Sequence, residues 1–512
     1  MRSSTTARSP SRKFETGSLR SFPIPHFEFV FSSSASGIVY VAAFREAQPV
    51  NRTVVLNVVG LTRGLIGAHT PRIRAYLQAG HSAVIDPAFP AVTCTAQSNY
   101  LTGKPPSEHG IVANGWYHRE LAEVQFWKQS NHVVTAHKLW DEFKATQPGF
   151  TCAQLFWWYN MYSSADWSIT PRPMYPADGR KFFDIYTWPY DIRTEIKQTL
   201  GEFPFAGFWG PAAGMQSPQG APDCVSRWIA ESAKWIETRH QPTLSFVYLP
   251  HLDYNLQRLG PKHPDVPQDL RRIDAIVGDL LDFFGKAGVQ VVLLSEYGIT
   301  EVNTPIHLNR EFRRRGWLTV KEELGLELLD AGNSRVFAVA DHQVAHVQVN
   351  DRSLMGEVQE LLESTPGVAD VWDFADKAHH GIAHPRAGDL IAIAREDAWF
   401  TYYYWLDDAK APDFARCVDI HRKPGYDPVE LFLDPKIPAV KLKILWRLLQ
   451  KKLGFRMLMN VIPLDATLVR GSHGCRPKSQ DDWPILIAPI ALPEGPIEST
   501  AVYELLKRAV VR

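Results

Sequence analysis

Three short runs of the chain are mostly apolar and show no alternation between an apolar and a polar face, at residues 53–60, 243–249 and 289–295. Such runs predict strands that are buried on both faces, as in a parallel sheet. Helical patterns alternate with them, at residues 224–238 and 267–286. The alternation predicts an α/β fold with a mostly parallel sheet sandwiched by helices. Functional groups in such folds lie beyond the carboxyl ends of the strands.

A polar segment comes after another predicted strand, at residues 83–85. Pro90 ends that strand, and Gly103 with the prolines after it ends the next element. Between them is room for a helix of about three turns that begins at Thr93. A hydroxyl at a helix start faces free backbone N–H groups and the positive end of the helix dipole. That position favours an alkoxide and a bound phosphate, although Thr93 could also be a simple helix cap.

The same segment carries a family resemblance. Its matching positions are Phe89-Pro90, Thr93, Thr102-Gly103, Pro106 and the run His109-Gly110-Ile111-Val112-Ala113-Asn114. This pattern resembles the nucleophile segment of the type I phosphodiesterase/nucleotide pyrophosphatase branch of the alkaline phosphatase superfamily. The resemblance implies an alkaline phosphatase-like core and a metal-dependent hydrolase of phosphodiester or pyrophosphate bonds, with Thr93 as the catalytic nucleophile.

The resemblance also implies two metal sites, usually zinc, that flank the nucleophile. Thr93, Asp253 and His473 match ligand positions of the family, and Glu296 stands where the family has an aspartate. The predicted cofactor is a divalent metal, with zinc the first choice and magnesium or manganese as alternatives suited to oxygen ligands. The number of ions is left open.

Three family ligands are replaced, by Val59, Gln257 and Tyr297. Asn57, two residues before Val59 on the same strand face, could offer an oxygen instead. His251, two residues before the matched aspartate, is a further candidate ligand.

Four polar side chains near these positions are predicted to bind substrate: Asn99, Asn114, Gln257 and Tyr297. The family asparagine that supports the oxyanion falls on Ala96; Gln97 or Asn99 could substitute for it, or backbone N–H groups alone could serve. Four basic residues could hold a phosphate, although a surface role is the default interpretation of each: Arg258, Arg422, Lys423 and Arg476.

Composition limits the partners. Lysine plus arginine equals aspartate plus glutamate, at 55 each, which argues against a nucleic-acid polymer as ligand. No apolar run of about eighteen residues occurs, so no integral membrane contact is predicted. The five cysteines are widely spaced, which fits a reducing compartment. We therefore expect a cytoplasmic protein that acts on a small phosphoryl substrate; its oligomeric state is open.

Four regions are predicted along the chain. Residues 1–50 form a disordered or non-native extension, and an organellar location would apply if they are a transit peptide. Residues 51–330 form the core, 331–465 an inserted α+β cap subdomain, and 466–512 the return to the core. Residues 171–219 read as loop. The basic helix at residues 438–455 is interpreted as a solvated outer face in preference to a membrane contact.

Two other functions fit the same pattern. The replaced ligands favour a catalytically inactive protein that keeps the fold and binds a phosphorylated ligand. A phosphonate or sulfate ester hydrolase is the third possibility.

Overall fold

The computed structural model describes residues 50–214 and 223–511. The predicted N-terminal extension, residues 1–50, thus lies outside the described residues except for Val50. Within the described ranges no helix combines the length and the apolarity needed to cross a bilayer.

The helices of these ranges are α1 (Pro71–Ala79), α2 (Thr93–Thr102), α3 (Pro106–His109), α4 (Leu139–Thr146), α5 (Ile192–Leu200), α6 (Cys224–His240), α7 (His251–Leu259), α8 (Val266–Lys286), α9 (Leu308–Arg314), α10 (Met355–Ser364), α11 (Phe374–His379), α12 (Val440–Lys452) and α13 (Val502–Val510). The strands are β1 (Thr53–Val58), β2 (His81–Asp86), β3 (Gly115–His118), β4 (Glu123–Phe126), β5 (Cys152–Leu155), β6 (Trp167–Pro171), β7 (Ile185–Trp188), β8 (Leu244–Leu249), β9 (Gln290–Leu294), β10 (Thr300–Glu301), β11 (Thr304–Ile306), β12 (Val320–Glu323), β13 (Leu326–Leu329), β14 (Val336–Asp341), β15 (Val344–Val349), β16 (Val368–Trp372), β17 (Leu390–Ala394), β18 (Ala398–Phe400), β19 (Gly471–Ser472), β20 (Ile485–Ala488) and β21 (Ile497–Glu498).

The largest sheet has the strand order β21-β2-β20-β9-β1-β8-β5-β6-β7. Strand β1 is parallel to both β8 and β9, and β5 is parallel to β8 and β6. Strands β20 and β7 run antiparallel to their neighbours. Every residue of β1 and β8 is buried, because helices cover the sheet. The predicted α/β fold with a mostly parallel sheet is confirmed.

The register of the central strands sets the position of the site. Asn57 of β1 lies opposite Tyr248 of β8 and Leu294 of β9. The chain segments after β8 and β9 therefore leave the sheet at the same edge, close to Asn57. This edge is the carboxyl end of the parallel strands, where functional groups were expected.

A second sheet, of order β14-β15-β17-β16, is antiparallel and has its own apolar core. The alternating residues 335–350 form its β14–β15 hairpin, with a turn at His342 and Gln343. Residues 171–214, the described part of the predicted loop 171–219, hold more regular structure than their prolines and glycines suggested. Strand β7 and helix α5 lie there, because alternating and helical patterns run between the prolines.

Gly298, directly after the predicted site residue Tyr297, packs with no room for a side chain. A Cβ at this position would lie 1.8 Å from the carbonyl oxygen of Asp482. We expect Gly298→Ala to lower the free energy of unfolding by about 3 kcal/mol, since backbone has to move to relieve the overlap. Urea unfolding followed by circular dichroism measures the change.

The matched control is Gly285→Ala near the end of α8, where a Cβ meets no atom within 4 Å. Alanine is the better helix former, so this variant should be as stable as the wild type or more stable, by up to about 1 kcal/mol. Equal destabilisation by both variants would contradict the packing argument.

Candidate active site

Four segments meet at the carboxyl edge of the central sheet. Thr93 is the first residue of α2, and Asp253 lies in the first turn of α7, which comes directly after β8. Tyr297 follows β9, and His473 follows β19. These four side chains line one pocket together with Gln257. The structure thus brings together residues that are separated by up to several hundred positions in the chain.

A continuous chain of hydrogen bonds runs through this pocket. The Tyr297 hydroxyl lies 3.2 Å from Thr93 Oγ1 and donates to Asp253 Oδ1 at 3.1 Å. Gln257 Nε2 donates to Asp253 Oδ2 at 2.8 Å, and the Tyr426 hydroxyl donates to Gln257 Oε1 at 2.8 Å. Because Tyr297 gives its proton to Asp253, its oxygen is free to accept the proton of Thr93.

Asp253 is buried with no positive group bonded to it. Burial raises its pKa to about 7, while the hydrogen bonds from Gln257 and Tyr297 act in the opposite direction. The carboxyl group can therefore take up and release a proton near neutral pH.

His473 closes one side of the pocket. Its ring stacks on Tyr297 with centroids 3.6 Å apart, and its Nδ1 lies 2.7 Å from the carbonyl oxygen of Ala91. The bond to a carbonyl requires the proton on Nδ1, which leaves a lone pair on Nε2. That nitrogen has no hydrogen-bond partner among the described residues and lies 4.0 Å from Asp253 Oδ1.

Glu296 lies behind Thr93 and does not line the pocket. Its Oε1 accepts from Gln97 Nε2 at 2.5 Å and from Asn57 Nδ2. Its Oε2, like Asn57 Oδ1, has no partner among the described residues. Burial raises the pKa of Glu296 to about 8, against the effect of its hydrogen bonds.

The other predicted site residues support α2 and α7 from outside the pocket. Asn114 Oδ1 accepts from the N–H of Cys94 at 3.0 Å, and Asn99 bonds to His109 and to Ser499. His251 Nε2 lies 3.3 Å from Asp269 Oδ1. These positions hold helices in place.

Two pocket residues carried no strong sequence signal, His342 and Tyr426. His342 sits in the β14–β15 turn at φ +60°, and its Nδ1 lies 2.7 Å from Asp341 Oδ1. Its ring stacks on that of Tyr426 with centroids 3.5 Å apart, and its ring centroid lies 3.8 Å from that of His473. Tertiary packing alone brings these rings into the pocket that contains Asp253, so no local sequence pattern identifies them.

The remaining pocket wall is aromatic and apolar, formed by Trp127, Trp158, Phe208, Trp209, Tyr248, Pro250, Tyr254 and Ile420. No lysine or arginine lines the pocket in the described part of the chain. Lys423, one of the predicted phosphate ligands, is instead buried. Its Nζ lies 2.6 Å from Asp427 Oδ2 and 2.7 Å from Glu430 Oε1. Arg476 pairs with Asp86 at 2.7 Å.

The donor atoms do not fit the two-zinc set that the resemblance implied. Within residues 50–214 and 223–511, no group of three or more histidine, cysteine, aspartate or glutamate side chains could hold a metal ion. Zinc in enzymes usually has three such ligands. Gln257 and Tyr297 occupy the space around Asp253 with neutral groups that already bond to it. The replaced ligands therefore leave an incomplete donor set.

Comparison with known proteins identifies the family of this chain. A profile of the family described as Type I phosphodiesterase / nucleotide pyrophosphatase matches residues 53–427. The chain belongs to this family of hydrolases. The match begins with β1 and covers α2, α7 and the segment after β9. It ends before His473, so the last pocket residue lies beyond the matched profile.

Individual relatives are distant. An uncharacterised pyrophosphatase/phosphodiesterase of Schizosaccharomyces pombe is 19% identical over 238 residues, which are 45% of this chain and 41% of that protein. The aligned part thus spans less than half the length of this curated relative.

Solved structures show the same fold. Murine ectonucleotide pyrophosphatase/phosphodiesterase 5, an inactive variant in complex with AMP, has a TM-score of 0.52 at 14% identity, covering 90% of this chain and 94% of its own. Phosphonoacetate hydrolase of Sinorhizobium meliloti, in complex with phosphonoformate, has a TM-score of 0.57 at 12% identity. The alignment covers 94% of this chain and 99% of the hydrolase chain. The alkaline phosphatase-like core predicted from the sequence is confirmed.

The buried Glu296 should make stability depend on pH. Its carboxyl group is neutral in the folded protein up to pH about 8 but ionises near pH 4.5 when unfolded, so stability falls as the pH rises between these values. Glu296→Gln removes this titration. The free energy of unfolding of the variant relative to wild type should rise by roughly 2 kcal/mol or more over that range. Urea unfolding at several pH values measures it, and a constant difference would contradict the burial effect.

Gln257→His adds a third metal ligand beside Asp253 and His473, whereas Gln257→Asn keeps an amide at this position and adds none. We expect this variant to bind zinc more than about 100-fold tighter than wild type, since even a supporting contact to a ligand is worth 10–100-fold. Competition with a chromophoric chelator measures the affinity. The gain should disappear in an Asp253→Asn background, and an equal gain from Gln257→Asn would contradict the donor-set argument.

Proposed function

We propose that this chain hydrolyses a phosphodiester bond of a small molecule, with Thr93 as the nucleophile and Asp253 as the base that acts through Tyr297. The observation that carries the proposal is the hydrogen-bond chain from Thr93 Oγ1 through the Tyr297 hydroxyl to Asp253 Oδ1. Family membership supports a hydrolase, and the position of Thr93 at the start of α2 supports its role as nucleophile.

In the first step Thr93 Oγ1 forms a bond to phosphorus. Its proton passes to Tyr297, whose own proton passes to Asp253, so the phenol ends neutral and the carboxyl group is protonated. Burial raises the pKa of Tyr297 well above its ordinary value, so the phenol conducts the proton and does not store the charge. The bond from phosphorus to the leaving oxygen breaks, and that oxygen takes up the proton that Asp253 now carries.

In the second step a water attacks the phosphothreonine. Its proton is accepted at Asp253, and the threonine oxygen leaves and regains its proton through Tyr297. Each residue is then back in its starting state. No metal ion enters these steps, because the described residues do not form a complete ligand set.

The pocket wall favours one charge class of substrate. Without a lysine or arginine in the described lining, two negative charges on a phosphate monoester would be poorly compensated. A phosphodiester carries one negative charge, which suits the positive end of α2 beside Thr93. The tryptophan and tyrosine rings suit an aromatic or apolar substituent on the ester.

A second candidate is a catalytically inactive protein that binds a phosphorylated ligand in the same pocket. The incomplete metal-ligand set favours it. It predicts binding without turnover, and the structural relative that holds AMP suggests a nucleotide as the first ligand to titrate.

The deciding experiment is hydrolysis of bis-para-nitrophenyl phosphate by chelator-treated protein. We expect turnover in wild type, loss in Thr93→Ala, and retention within about tenfold in the matched variant Thr93→Ser, which keeps the hydroxyl. Tyr297→Phe keeps the ring on His473 but breaks the proton path, so kcat/KM should fall by roughly 100-fold. In wild type kcat/KM should rise with pH through about 7, because Asp253 acts as a base only when ionised.

Each other outcome has a distinct meaning. Turnover only after addition of zinc, manganese or magnesium would keep the hydrolase and overturn the proton path. No turnover with any ion, together with saturable binding of AMP, would establish the inactive binder. Turnover that survives Thr93→Ala would exclude this pocket as the source.

A further inference from the structure

Helix α12 turns its large apolar side chains outward. None of its residues, all of which are described, is buried. The side chains of Leu442, Leu445, Trp446 and Leu449, with Leu453 just after the helix, are 44–67% exposed. Their spacing of three, four, seven and eleven places them on one face of the helix. A surface helix of a globular protein normally buries such a face.

The opposite face holds α12 on the protein. Val440 and Ile444 pack against the core of the second sheet. Lys443 Nζ donates to the carbonyl oxygen of Asn460 at 2.8 Å. The helix is therefore attached through a face that includes positive side chains, and its leucine-rich face is left without a partner among the described residues.

The charge of α12 is of one sign. The helix contains five basic residues and no acidic one, namely Lys441, Lys443, Arg447, Lys451 and Lys452. Lys441 and Lys452 are exposed beside the leucine-rich face. An apolar face bordered by lysines is the composition of helices that lie in the interface of an anionic membrane.

The apolar surface continues beyond the helix. Phe455 and Leu458 are 64% and 42% exposed, and Phe183 is 47% exposed. Lys451 Nζ lies 5.4 Å from the ring centre of Phe183, so Phe183 lies beside the helix at Lys451. Large exposed apolar side chains clustered on and around one helix mark an interaction site.

We infer that α12, with Phe455 and Leu458, docks on the surface of a membrane that contains anionic lipids. The leucine and tryptophan side chains enter the boundary between headgroups and acyl chains, and the lysines contact lipid phosphates. A second copy of the chain fits this face less well, because two such helices would place basic residues against basic residues with no acid between them. From the sequence alone, this helix was interpreted as a solvated outer face. The exposed leucines favour the membrane contact instead.

The test is co-sedimentation of the full chain with vesicles of phosphatidylcholine alone and of phosphatidylcholine mixed with phosphatidylserine. Wild type should bind the mixed vesicles, and the bound fraction should fall as salt is added. Leu445→Asp combined with Leu449→Asp should lower the partition coefficient by at least about tenfold. Lys441→Glu combined with Lys452→Glu should remove the preference for phosphatidylserine.

The matched control is Leu324→Asp, at a fully exposed leucine in the β12–β13 turn, which should bind as wild type does. Circular dichroism confirms that each variant is folded. Absence of wild-type binding, equal binding to both vesicles, or unchanged binding of the Leu445→Asp/Leu449→Asp variant would overturn the inference. The inference would also be overturned if sedimentation velocity showed a concentration-dependent dimer of the wild type that the Leu445→Asp/Leu449→Asp variant does not form. The leucine-rich face would then bind a second copy of the chain.

Discussion

The hydroxyl of Tyr297 is the contact around which the pocket is built. It joins the start of α2 to the first turn of α7 by bonding to Thr93 and to Asp253. The ring of the same residue carries the stack on His473, so the C-terminal segment is held to the core through it. One side chain thus connects three segments that are distant in sequence. Its position depends in turn on the close packing of Gly298 behind it.

Two buried carboxyl groups without a positive partner define the electrostatics of the site. Asp253 and Glu296 both have raised pKa values because burial opposes their ionised forms. Asn57, Gln97 and Gln257 supply hydrogen bonds, but amides carry no charge. Burial shifts the protonation of both groups to higher pH, whereas permanent cations in the site would keep both groups ionised. The neutral side chains that bond to Asp253 and Glu296 therefore leave the charge of these carboxylates without compensation.

The parts of the structure that depend on local sequence were predictable. Pro90 and Gly103 correctly bounded α2, because proline and glycine act on the backbone next to them. The apolar runs of β1, β8 and β9 indicated the sheet, and the family pattern led to Thr93, Asp253 and His473. Local rules do not reach the long-range contacts. Tyr426 and His342 enter the pocket through the packing of the second sheet, which no spacing in the sequence reveals.

Prediction was also limited where the sequence shows which residue types are present but not whether their side chains are buried or exposed. Lys423 looked available for phosphate, yet a pair of buried carboxylates holds it inside the protein. Helix α12 was interpreted as a basic helix with a solvated outer face, and only the exposure of Leu442 and Leu445 in the structure shows which face is turned outward. Composition gives the charge of an element; orientation requires the packed structure.

The bond between His473 and Ala91 spans 382 positions, and the one between Asn99 and Ser499 spans 400. Both hold α2 in place with residues from near the end of the chain. During synthesis the surroundings of α2 are therefore complete only after Ser499 has been made. Contacts of such high sequence separation make folding slow, because long loops have to close before any contact is formed. Binding of a ligand to this pocket would consequently report that the segments around His473 and Ser499, and not only those around α2, have reached the native state.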